Sequence, residues 1–82
     1  MPFGMRDEFD WHEITQAKKI AMTSDQTVCG NIIAEYKDSI IIIEFDETKL
    51  NEYIIPKSSV DHYDGSNVRL SISGSLLPSF WF

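Results

Sequence analysis

The 82-residue chain has one cysteine, Cys29, so no disulfide within it is available to staple a small fold. A reducing cytoplasm is the expected setting. No run of about 18 apolar residues occurs, and the opening MPFGMRDEFDWHE is acidic where a secretory leader is basic and then apolar, so neither a spanning helix nor export is expected. Basic charge is scarce as well. The seven Lys and Arg residues are scattered, with no cluster longer than a pair, against thirteen Asp and Glu, for a formal charge of −6. Nucleic-acid backbones and anionic membranes need grouped cations to release counterions, so this balance speaks against both partners and against membrane insertion. Glycine-rich phosphate loops, GxSxG, HExxH and CxxC are all missing. No catalytic residue, cofactor or metal site is expected.

What is present is the patterning of a small all-β domain. The chain reads as an arm (1–14), a barrel (15–74) and an apolar tail (75–82). In the arm, Asp10 is placed to cap one helical turn over Trp11 to Ile14, with Trp11 packing down. Period-two segments then follow at Ala17–Met22, Val28–Tyr36, Ile40–Phe45, Glu52–Ile55, Ser58–Tyr63 and Asn67–Ile72. Pro56, which has no amide hydrogen, ends the fourth, and Asp64-Gly65 supplies the positive-φ turn before the last. Five to six short strands at this spacing predict a small antiparallel barrel, closed or partly open, because an open sheet leaves exposed edges.

Two segments carry more apolar surface than so small a core needs. In the third strand, Ile41, Ile43 and Phe45 share one face while Ile40, Ile42 and Glu44 share the other, so both faces are apolar over four residues. Something must cover the second face, either the chain's own arm or tail or another subunit. The tail SLLPSFWF raises the same alternative. Burying Phe80, Trp81 and Phe82 is worth on the order of 10 kcal/mol gross, about what ordering eight residues costs, so the tail docks only on a ready groove, in cis or in trans. The residues expected to make a partner contact are therefore Ile40, Ile42, Leu76, Leu77, Phe80, Trp81 and Phe82. His62 and Asp64 share a face of an extended segment, but two ligands are too few for a metal, and Cys29 has no flanking cation to activate it.

The segment Ala17-Lys18-Lys19-Ile20 followed by DQTVCGNI, together with YIIPKSSV, Asp64-Gly65 and Val68-Arg69-Leu70, resembles the PRC-barrel family over about Thr15 to Ile72. Gln26 stands where that family usually has glycine, and the arm and tail have no counterpart in its general pattern. The resemblance implies a PRC-barrel-like fold and protein binding without catalysis. The segment resembles the small stand-alone archaeal members, and this implies a role like that of those which act as cytoplasmic adaptors in the division complex of the tubulin-like ring. The implied partner is a protein, in a homodimer or a hetero-oligomer with a related barrel. The alternative is an accessory role in ribosome maturation or RNA processing, as for the maturation-factor relatives.

Overall fold

The computed structural model describes residues 9–45 and 48–81. Helix α1, Trp11–Gln16, begins where the cap predicts: the Asp10 carboxylate accepts the Glu13 N–H at 3.1 Å. Six residues are too few for a helix to persist alone, so tertiary contact holds it. Trp11 and Ile14 supply that contact from one face. Phe9 stacks on Trp11 with ring centroids 5.1 Å apart, and the Lys57 ammonium, ion-paired with Glu35, lies 5.3 Å from the same indole. The helix also shortens the first strand. Ala17 donates to the Glu13 carbonyl and Lys18 turns at φ 52°, so pairing starts only at Ile20.

Six strands follow: β1 Ile20–Met22, β2 Val28–Glu35, β3 Ser39–Phe45, β4 Leu50–Pro56, β5 Val60–Tyr63 and β6 Asn67–Leu70. They make one sheet in the order β4-β3-β2-β1-β6-β5. Neighbours are antiparallel except β1 and β6, whose parallel register sets Ala21 beside Val68. The expected wholly antiparallel sheet is thus corrected to a mixed one. Of the closed or partly open forms expected, the closed one is not adopted. β4 and β5 form the two edges, joined by a 3-10 turn at Lys57–Ser59 and by no ladder between them. The last hairpin is the one its turn chemistry foretells, with Gly65 at φ 95° and the Asp64 carboxylate accepting the N–H groups of Ser66 and Asn67 at 2.9 and 2.7 Å.

Two irregularities in β2 decide what faces inward. The register slips opposite Ala21/Met22 and again between Ile32 and Ala34, so strict alternation fails and Cys29, Gly30 and Ile32 are all buried. Gly30 has a backbone reason to be glycine: its φ is 147°, and a Cβ there would lie 2.4 Å from the Ile43 carbonyl oxygen. The first turn, by contrast, puts the non-glycine Gln26 at φ 64°. Ile14, Ile32, Ile40, Ile42, Ile55 and Val68 then meet in the interior with no solvent exposure.

The tail lies against its own sheet. Its 3-10 segment, Gly74–Phe80, buries Leu77 in the core cluster, and Trp81 forms an antiparallel bridge with Tyr53 of β4. A polar latch holds its start. The Asp25 carboxylate accepts the hydroxyl of the buried Thr23 and the Gly74 N–H, while Ser24 donates to the Ile72 carbonyl at 2.8 Å.

Candidate functional site

The β3–β4 ladder sorts the isoleucine run onto two surfaces. Ile40 faces Ile55 and Ile42 faces Tyr53 on the interior side, while Ile41 faces Ile54, Ile43 faces Glu52 and Phe45 faces Leu50 on the exterior. Register extends the exterior across the sheet, since Ile43 stands opposite Asn31 and Asn31 opposite Ile20. No residue of this exterior set is buried. Phe45 is 79% exposed and Leu50 51%, although they sit side by side at the end of the hairpin. The two segments that cover the sheet, α1 and the tail, contribute to the interior cluster through Trp11, Ile14 and Leu77. The molecule therefore presents an apolar exterior whose centre is Ile41, Ile43, Ile54, Phe45 and Leu50. Isolated exposed apolar residues are ordinary on a protein surface; a contiguous set marks a contact site.

This placement changes the expected partner residues. Ile40 and Ile42 are fully buried in the chain's own core, with nothing left to offer another molecule, and Leu77 is 8% exposed for the same reason. Phe80 packs partly against that core. Leu76 and Trp81 remain half exposed, and Phe82 lies outside the described residues. Among the described tail residues, Trp81 lines an open groove with Leu50, Asn51 and Glu52 at the end of the hairpin. Phe45 and Leu50 were not singled out from sequence. Glu44 lies on the same face as the buried Ile40 and Ile42. In the fold, its carboxylate is satisfied inside by the Tyr53 hydroxyl at 3.0 Å and the Asn51 amide at 3.4 Å.

The interior polar group has its own electrostatics. Burial pushes the Cys29 thiol up to about 12, and the Glu44 charge adds to this, so the thiolate is disfavoured at neutral pH. Burial likewise raises Tyr53, with the Glu44 carboxylate acting in the same direction. His62 is exposed on β5, 3.2 Å from the Asp61 carboxylate. Among the described residues, no three His, Cys, Asp or Glu side chains gather where a metal could sit, and no helix is long and apolar enough to cross a membrane. The chain matches no family model, no curated protein and no solved structure.

Proposed function

We propose that this chain is a non-catalytic protein-protein adaptor that self-associates or pairs with a related barrel through the exterior of β2, β3 and β4. The carrying observation is the Phe45–Leu50 pair, two large apolar side chains in register and both more than half exposed. A fully buried aromatic removes about 150 to 250 Å² from water, and a stable interface takes about 800 Å² from each partner. Phe45 and Leu50 thus form the anchor of a larger footprint that includes Ile41, Ile43 and Ile54. The PRC-barrel resemblance supports the same class of role, in the cytoplasm and within a division complex.

Light scattering over a concentration series tests it. The wild type is expected to move from monomer toward dimer or larger species, and the pair Phe45→Ser with Leu50→Ser to stay monomeric with its thermal midpoint kept. A wild type that is monomeric throughout, or a double variant that associates equally well, contradicts the proposal.

A further inference from the structure

The exterior of the sheet has two unlike ends. Register sets Glu52, Ile43, Asn31, Ile20 and Asn67 side by side, one from each strand between β4 and β6, with Asn31 in the middle. Ile43 and Ile20 flank Asn31, so the centre of the row is mainly apolar. The charges lie at its ends. Glu52, on β4, is half-buried and makes no salt bridge among the described residues. Arg69, on β6, is two residues beyond Asn67 and between the inward Val68 and Leu70, and it is half-buried too. Its Nε is shut off from water with no hydrogen-bond partner, and the Asp64 carboxylate feels its charge without meeting it in a salt bridge. A guanidinium held this way is costly until an acceptor from outside serves it.

We propose that this exterior is an isologous interface with a second copy of the chain, turned over about a two-fold axis that runs along β2 at Asn31, so that Glu52 of each copy meets Arg69 of the other. An axis along the middle strand of five lays β4 on β6 and β3 on β1. Ile43 then packs on Ile20 of the second copy, Asn31 faces its own mate, and Glu52 comes opposite Asn67, one step from Arg69. The strands of the two sheets stay aligned, as in ordinary face-to-face packing about 10 Å apart, and side chains as long as Glu and Arg span the remaining offset. A closed two-fold contact needs a self-complementary surface. One that is acidic at one end, basic at the other and mainly apolar between has that property. The whole-chain charge of −6 opposes the encounter of two copies at low salt, but the Debye length at physiological ionic strength is about 8 Å, so charges away from the contact are largely screened. The inference rests on the adaptor reading and deepens it, naming a second copy as the partner and widening the contact to β1 and β6.

Sedimentation of the full chain at physiological ionic strength tests it. Arg69→Glu and Glu52→Lys each put two like-charge pairs into the dimer and are expected to weaken it by about ten- to thirtyfold. An equimolar mixture of the two variants, in which every pair is opposite again, is expected to dimerise as tightly as the wild type. Thermal midpoints matching the wild type certify that both variants fold. Arg69→Lys, which keeps the charge, gives a second readout: a zero-length carbodiimide is expected to join the amine introduced at position 69 to Glu52. Within one chain β4 and β6 stand four strand spacings, about 19 Å, apart, so this link forms only between copies, and a mixture of ¹⁴N and ¹⁵N chains shows it as mixed-isotope peptides. Single variants that dimerise as tightly as the wild type, a mixture no tighter than its components, or absence of the mixed-isotope link overturns the proposal. Association that is lost in the double variant at Phe45 and Leu50 yet indifferent to every charge change removes the two-fold arrangement alone. A wild type monomeric throughout removes the adaptor contact along with it.

Discussion

Strand β3 is one run of four isoleucines with two different fates. Ile40 and Ile42 have no exposure at all, whereas Ile41 and Ile43, one residue away in sequence, are half-buried and lead to Phe45, the most exposed large apolar residue described. The side chains are the same, so hydrophobicity alone does not separate the faces. What separates them is the covering. α1 brings Ile14 and the tail brings Leu77 to the inner side, and the polar end of that side is satisfied by Tyr53 and Asn51 bonding Glu44. The outer side receives neither. A strand that is apolar on both faces is stable in water only if each face finds a cover, and among the described residues the chain supplies one of them.

Substitutions along β3 and its neighbours put this asymmetry to the test. Ile42→Ala removes buried side-chain volume from the interior and is expected to cost about 3 to 4 kcal/mol of unfolding free energy in urea. A loss below about 1 kcal/mol makes the inner face dispensable and breaks the comparison. Gly30→Ala attacks the close approach of β2 to β3, where the new Cβ meets the Ile43 carbonyl at 2.4 Å and the backbone sits at φ 147°; about 3 kcal/mol is expected by the same measurement. Ile43→Ala, on the half-buried outer face, is expected to cost about 1 kcal/mol. Phe45→Ser is expected to stay within about 0.5 kcal/mol of the wild type at a dilution where the chain is monomeric.

The smallest expected effect is in the acid limb. The Thr23 hydroxyl, then the Gly74 N–H, hold the Asp25 carboxyl below its usual value of 3.8, and the N–H groups of Asn67 and Ser66 do the same for Asp64. A carboxylate lowered in the folded state contributes stability that is present above the unfolded value and fades as pH falls through the folded one. Thermal midpoints should therefore drop as pH falls below about 4, and less steeply in Asp25→Asn than in the wild type. Because Asp25 ties the first turn to the start of the tail, an identical acid limb in that variant contradicts its role as the latch.

Much of the scaffold was legible before any coordinates. The Asp10 cap, the Asp64-Gly65 hairpin, and the inward Val68 and Leu70 are local chemistry and simple alternation, and the fold keeps them. The number of strands was legible for the same reason. What escaped depends on contacts distant in sequence. The parallel pairing of β1 with β6 is set by chain topology rather than by either strand's composition. The bulges that turn Cys29 and Ile32 to the same interior break the period on which face assignment rests. The choice between the two faces of β3 turned on whether Glu44 would find partners, and those partners, Asn51 and Tyr53, stand across the hairpin. The tail's choice of its own sheet was likewise open, because its area and its ordering cost nearly balance.

The most direct examination of the account is a concentration series of ¹⁵N-resolved spectra on the full chain. Amide shifts that grow with concentration at Ile20, Ile43, Phe45 and Leu50, while Asp61, His62 and the interior amides of Ile40 and Ile42 hold still, are what an uncovered exterior predicts. Spectra that do not change with concentration, or changes centred on β5, contradict it.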